Sequence, residues 1–400
     1  MKKALDGMLI LDLSRFIAGP FATMNLADMG ARVIKIENPN EPDGNRAQGP
    51  YVKVDGEDFS AWFAQMNRNK EGMTLNLKTQ EGKDFFLKMV EKADVVVENF
   101  RAGTMEKLGI GYEEMKKHNP EIIYVAISGY GQDGPYKLWP SFDGSGQAMS
   151  GLWSINGEKG QPPLRMGAAI ADYAAAFYGA MAILEAYVYR LKTGKGQMVD
   201  LAQMDATITL TEAAVVGYTV DGFIEGPKGN EAPRVRPYSM YPCKDGYVFF
   251  GAYTDNLWKK AAAFFGDEEA ATDPDFCTTE RRYEDHNFRT KVEPRIVEWL
   301  SKYTKQELLE GLSPKVPVNP IKTIKEAVED EQLNFRGMIP EIRHHESTIR
   351  MYGQPIKMSE TPAEMRLGAP MVGEHNIELF KEWFDMEPEQ VAELKEKGII

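Results

Sequence analysis

Residues 8–37 read MLILDLSRFIAGPFATMNLADMGARVIKIE. Residues 8–13 form a short apolar run of strand length. Residues 16–29 then read as a helix, entered through Ala18-Gly19-Pro20. A second apolar run, 31–36, closes in Glu37-Asn38-Pro39. Strand, helix and strand with tight joints make the unit of a parallel sheet covered by helices. The pattern continues outward: an amphipathic helix over 79–93, a strand over 94–98, a short helix over 112–117 and a strand over 122–128. Ligands on such sheets bind beyond the carboxyl ends of the strands. Three segments end there: 12–20, 37–46 and 128–136.

One acid stands out against this frame. Asp172 lies near the start of segment 167–189, whose only other acid is Glu185 and which closes in Arg190, Lys192 and Thr193-Gly194-Lys195-Gly196-Gln197. Basic residues in a last turn followed by glycine are helix stop signals. The segment is apolar nearly all round, which predicts a buried helix. A carboxylate buried near a helix start is costly unless backbone N–H groups and the helix dipole hold its charge. The ordinary alternative is a helix-start acid with no chemistry. Positions 175, 176, 179 and 180 share the Asp172 face and are Ala, Ala, Gly and Ala. Such small residues permit close approach by a helix or a slender ligand.

Beyond residue 222 the character changes. Gly226-Pro227-Lys228-Gly229-Asn230 reads as a linker, and residues 238–241 and 247–252 flank Lys244-Asp245-Gly246 as a hairpin. Helical stretches follow at 256–265, 292–303 and 305–312, the last opening with the capping-box pattern Thr304-Lys305-Gln306-Glu307. The chain is loop-rich from about 330, then helical at 378–383 and 388–397. This divides it into a large domain over 1–222, a smaller α+β domain over 223–328 and a C-terminal segment over 329–400.

The 400 residues, 43% hydrophobic and 27% charged, describe a globular protein. A net charge of −13 argues against nucleic-acid or anionic-membrane binding. Cys243 and Cys277 lie too far apart for a metal pattern and suggest a reducing compartment. The basic opening Met1-Lys2-Lys3 runs into Asp6, Asp12 and Arg15, which argues against export; a cytoplasmic protein is expected. His118, His286, His344, His345 and His375 show no metal-ligand spacing. There is no G-x-S-x-G element and no dinucleotide fingerprint after the first strand. The loop Ser128-Gly129-Tyr130-Gly131-Gln132-Asp133-Gly134 is a tight turn or a cradle of N–H groups for an oxyanion. Basic candidates for phosphate contact are Arg15, Lys35, Arg46, Arg68, Lys70, Arg101 and Lys107.

Taken in order, several of these segments resemble the class III coenzyme A transferases, the CaiB/BaiF family. They are Leu11-Asp12-Leu13-Ser14-Arg15 with Ala18-Gly19-Pro20, Gly30-Ala31-Arg32-Val33-Ile34-Lys35-Ile36-Glu37, Asn69-Lys70, and Ala93-Asp94-Val95-Val96-Val97-Glu98-Asn99-Phe100. The glycine loop, Thr193-Gly194-Lys195-Gly196-Gln197 and Gly373-Glu374-His375-Asn376 complete the set. The resemblance implies a Rossmann-like large domain, a smaller domain and an interlocked homodimer. It implies acyl-CoA and a carboxylic acid as substrates, with no tightly bound cofactor and no metal. It implies Asp172 as nucleophile, forming a mixed anhydride and then an aspartyl-CoA thioester. An aspartate is ordinarily ionised at neutral pH and needs no base. Gly129, Tyr130, Gly131 and Phe142 are the expected oxyanion and acyl pocket. Arg15, Ile17, Ala18, Asn38, Leu75, Asn99 and Lys107 are the expected CoA contacts, Asn38 and Lys107 standing where some relatives have Arg.

Three competing readings remain. α-Methylacyl-CoA racemases share the fold but use a histidine in the stretch corresponding to Pro140-Ser141-Phe142-Asp143-Gly144. Phe142 takes that place and carries no proton. A silent CoA-binding relative would not need Asp172, and a nicotinamide dehydrogenase would need the missing fingerprint. Formyl-CoA transferases carry a glycine run ending in Gln near the small domain; 226–231 has none, which argues against formate or oxalate. Tyr130, Phe142, Met149, Trp153 and Met166 suggest a roomier pocket for a medium-sized acid, hydroxylated or branched.

Overall fold

In the computed structural model, which describes residues 3–232 and 235–400, contacts divide the chain into two compact units. The export reading of Met1 and Lys2 falls outside those residues. The first unit comprises Met1–Trp153, Arg165–Phe223 and Glu331–Ile400; the second comprises Ser154–Leu164 and Ile224–Asp330.

The first unit is built on β1 (Leu9–Asp12), β2 (Arg32–Glu37), the hairpin β3 (Tyr51–Val54) and β4 (Glu57–Ser60), β5 (Lys70–Thr74), β6 (Val95–Glu98), β7 (Ile123–Ser128) and β8 (Met198–Ala202). Six of these form one parallel sheet in the order β5-β2-β1-β6-β7-β8. The hairpin stands apart from it. Counted along the chain, the sheet strands run 3-2-1-4-5-6, the Rossmann order, which reverses between β1 and β6.

Both sheet faces are covered, so the strands are nearly continuous apolar runs rather than alternating ones. Leu11, Ile34, Val96 and Tyr124 point to one face, where Phe86, Met89, Phe380 and Leu394 meet them. Ile10, Val33, Val97 and Val125 point to the other, against Ala27, Ala175 and Ile183. The helices are α1 (Ala18–Asp28), α2 (Ala61–Asn67), α3 (Gln80–Val90), α4 (Thr104–Leu108), α5 (Tyr112–His118), α6 (Asp143–Met149), α7 (Ile170–Thr193), α8 (Gln203–Ile208) and α9 (Ala214–Asp221).

β5 is an edge strand, and the C-terminal segment occupies its open side. His375 N–H donates to the Gly72 carbonyl at 2.9 Å, and Gly72 N–H returns to His375 Nδ1 at 3.1 Å. Asn376 accepts from Thr74 N–H at 2.9 Å and donates to Thr74 Oγ1 at 2.7 Å. Covering the edge in this way prevents it from pairing with another chain.

α7 departs from the sequence expectation. Only the stripe Ala171, Ala174, Ala175, Ala176, Gly179, Ile183 and Ala186 is buried. Phe177, Met181, Leu184, Val188 and Leu191 are exposed, because the sheet, α1, α6 and α8 pack against the other side of the helix. The small residues on the Asp172 face serve helix packing, not a ligand. A Cβ on Gly179 would lie 3.1 Å from Ile127 Cδ1 and 3.7 Å from Ala22 Cβ.

The second unit holds a three-stranded antiparallel sheet, with the hairpin β9 (Ser239–Cys243) and β10 (Gly246–Phe250) and the third strand β11 (Val318–Pro320) on β10. Trp258, Phe250, Trp299 and Leu300 anchor its core. The Thr304–Glu307 capping box forms as expected. Among the described residues, no helix is long and apolar enough to cross a membrane, and no cluster of His, Cys, Asp or Glu could hold a metal ion.

Candidate active site

The site lies at the carboxyl ends of β1 and β6, where strand order reverses. Asn99, just past β6, clamps the loop after β1: its Oδ1 accepts Arg15 N–H and its Nδ2 donates to the Arg15 carbonyl, both at 2.7 Å. Two cavities open beside this clamp. One, of ≈ 250 Å³, is mostly apolar and is lined by Leu13, Arg15, Ile36, Asn38, Leu75 and Leu77 among others. The second, of ≈ 220 Å³, is lined by Phe16, Ala18, Asn99, Gly129, Phe142, Asp172 and Gln203, with Arg101, Lys137 and Trp139. Phe100 lines both.

Beneath the loops lies a buried charge network. Lys70 Nζ donates to Asp12 Oδ2 at 2.8 Å, and Lys35 Nζ contacts Asp43 Oδ2 at 3.1 Å, with all four side chains fully buried. Glu37 takes Arg46 in a two-point contact. Burial alone would raise the Asp12 carboxyl, but Lys70 and Lys35 outweigh it and hold it at about 2. These contacts correct the list of phosphate candidates. Lys35, Lys70 and Arg46 are committed to Asp43, Asp12 and Glu37, and Arg68 to Asp28 at 2.7 Å.

Asp172 sits in the first turn of α7 and is partly buried. The Ala171 N–H goes to Asp143 Oδ1 at 3.0 Å, so this helix-start donor serves a different carboxylate from the one expected. Asp172 instead accepts from Gln203 Nε2. Ser141 Oγ donates to Gln203 Oε1 at 3.2 Å, which orients the amide. Burial and then the negative Asp143 push the Asp172 carboxyl up to about 7, against the Gln203 bond. At neutral pH it is therefore about half ionised, not fully ionised as its ordinary value implies. Asp143→Asn should move the acid limb of any reaction that needs the Asp172 anion down by about one pH unit. A pH–rate profile of the pair checks this.

The other expected residues divide. Arg15, Asn38 and Leu75 line the first cavity; Ala18, Asn99, Gly129 and Phe142 line the second. Four do not line either. Ile17 packs in the core with Phe21, Met24 and Ala176, so only its backbone is available. Lys107 is exposed on α4. Gly131 donates its N–H to Ser128 Oγ at 3.0 Å and has none left for an oxyanion. Tyr130 joins Tyr136 and Trp139 in an aromatic cluster instead of facing Asp172. Of the residues expected to line a roomier pocket, Phe142 lines the second cavity, and Tyr130, Met149, Trp153 and Met166 line neither of these two. Gly129 is required by close packing: a Cβ there would lie 2.1 Å from Ser141 Cβ.

Sequence reasoning missed Gln203. It is the first residue of α8, directly after β8, and the run Met198–Ala202 was the available signal.

The strand-order switch point, the apolar cleft and the Asp172 cavity thus lie together at the carboxyl ends of the parallel strands. CoA-transferase family III matches residues 5–376. The chain belongs to this family. It is a CoA-transferase, an enzyme acting on CoA thioesters and carboxylic acids. It is 37% identical over 390 residues to a succinyl-CoA:mesaconate CoA-transferase of Haloarcula marismortui, covering 95% of this chain and 96% of that one. It is 34% identical over 401 residues to a succinyl-CoA–D-citramalate CoA-transferase of Chloroflexus aurantiacus, covering 100% and 98%. A solved CaiB/BaiF family protein from Brucella suis superposes with a TM-score of 0.86 at 32% identity, over 96% of this chain and 100% of that one.

Proposed function

We propose that this family III enzyme transfers CoA through Asp172. The Asp172 carboxylate attacks the donor acyl carbon, the C–S bond breaks and CoA thiolate leaves a mixed anhydride. The thiolate attacks the aspartyl carbonyl and the donor departs as a free carboxylate. The acceptor carboxylate then reverses both steps, so no net proton is consumed. The observation that carries this reading is Asp172, held by Gln203, in one cavity with Asn99 and Ala18 at the switch point. Among the described residues, no histidine lines that cavity, which favours acyl transfer over α-proton exchange.

The acceptor we infer is medium-sized, branched or hydroxylated, and carries a second carboxylate. Two relatives named for mesaconate and D-citramalate support this class. So does Lys137, which lines the Asp172 cavity with no ion-pair partner among the described residues. With succinyl-CoA as donor, branched dicarboxylates should outpace monocarboxylates of equal length by about tenfold or more in kcat/KM. Lys137→Met should erase that preference. Equal rates for mono- and dicarboxylates, or acceptance of oxalate alone, would refute the acceptor assignment and leave the nucleophile untouched.

The exposed apolar side chains of α7, together with Val216, Tyr218 and Val220 on α9, support a homodimer that covers them. A monomer in sedimentation equilibrium would contradict it. The free Cys243 and Cys277 support a cytoplasmic setting.

A further inference from the structure

Phe16 adopts φ +65°, a left-handed conformation that a bulky side chain rarely takes. Its surroundings impose it. The Phe16 N–H donates to both Asp43 oxygens at 3.0 and 3.2 Å, and the Phe16 carbonyl accepts Asn45 Nδ2 at 2.8 Å. Asp43 is itself held by the buried Lys35. The ring packs so closely on Gly44 that a Cβ there would lie 2.8 Å from it. Backbone strain over-determined in this way marks functional positions.

The strain sends the Phe16 ring into the Asp172 cavity, where it meets Phe142 edge-on at 6.4 Å and 87°. Both geometries are those of an attractive aromatic pair. Phe142 is 72% exposed, an unusual position for a phenylalanine. It immediately precedes α6, with an extended backbone. One ring is thus set by a held backbone, and the other is open to solvent on its outer side.

We propose that the Phe16–Phe142 pair sets the partition of the covalent intermediate between acceptor and water. This rests on the Asp172 reading. The competing step is hydrolysis of the aspartyl-CoA thioester. Water oxygen bonds to the Asp172 carbonyl carbon, the C–S bond breaks, one proton goes to the thiolate and one to solvent. Asp172 is returned as a carboxylate carrying an oxygen from water. Two apolar rings lining the cavity that holds that carbonyl keep water away, while the acceptor displaces the exposed Phe142 ring.

The test uses the intact enzyme in ¹⁸O-water with succinyl-CoA and an acceptor. It measures ¹⁸O in the Asp172 peptide and free CoA released per transfer. Phe142→Ala and Phe16→Gly, the latter tolerating the positive φ, should each raise the ratio of hydrolysis to transfer by about tenfold. Phe142→Leu should stay near the wild-type ratio. An unchanged ratio in both ring deletions overturns the proposal, even if overall rates fall. If the wild type forms no aspartyl thioester at all, the nucleophile assignment fails, and the ring proposal with it.

Discussion

Asp172→Asn is expected to abolish CoA exchange, lowering turnover by about 10⁴-fold or more while CoA affinity stays within about threefold. The amide keeps the shape of the carboxylate but cannot form the anhydride. The same substitution should stabilise the fold above neutral pH. The Asp172 carboxyl is raised from its ordinary 3.8 to about 7, so the folded chain holds this proton more tightly than the unfolded one. That contribution is complete below about pH 4 and lost as pH rises through about 7. The substituted amide stays neutral throughout. The variant should therefore gain on the order of 1–2 kcal/mol at pH 8, discounted for partial exposure, and almost nothing at pH 4. Denaturant midpoints at the two pH values check the sign. A gain at pH 4 alone would contradict the assignment of a strained anion.

The largest loss of stability is expected from Asp12→Ala. Asp12 accepts from Lys70 Nζ, Thr23 Oγ1 and the Ser14 N–H, and all of these groups are buried. Removing it leaves two buried ammonium groups, Lys70 and Lys35, beside each other with Asp43, and for Lys35 also Glu37, as the remaining near acids. Breaking a buried pair in this way costs about 3–5 kcal/mol, a large part of an ordinary domain's stability. Asp12→Ala combined with Lys70→Met should be less destabilised than the sum of the two single changes. The pH dependence has the opposite sign to that of Asp172. Asp12 is held at about 2, so its contribution is present above its ordinary 3.8 and lost as pH falls through about 2. A double-mutant cycle with additive losses would show that the pair is not coupled.

The βαβ frame was legible because its strands are apolar on both faces and α3 opens on a Thr79 cap with Glu81 in its first turn and Lys88 in its last. β5 was not: Lys70–Thr74 reads KEGMT, and it becomes a strand through β2 on one side and His375 and Asn376 from the far end of the chain on the other. β8 hid behind the glycines that end α7, and Gln203 was lost with it. Asp172 was visible as one of two acids in a largely apolar helix. Its anchoring was not, because the partners Gln203 and Asp143 come from other elements and the helix-start N–H of Ala171 goes to Asp143. Lys35, Lys70 and Arg68 read as candidates for phosphate contact, since their acids lie 8 to 58 positions away. Pattern alone cannot tell a buried ion pair from a solvated one. Phe142 was legible in what it lacks, a titratable proton, but its pairing with Phe16 depends on a backbone turn that only the folded network imposes.

The most direct measurement is mass spectrometry of the Asp172 peptide after mixing the enzyme with succinyl-CoA and trapping with hydroxylamine. A hydroxamate at Asp172, absent from the Asp172→Asn variant, is the expected result. A hydroxamate at another carboxylate, or CoA exchange at full rate with no trapped adduct, would contradict the account.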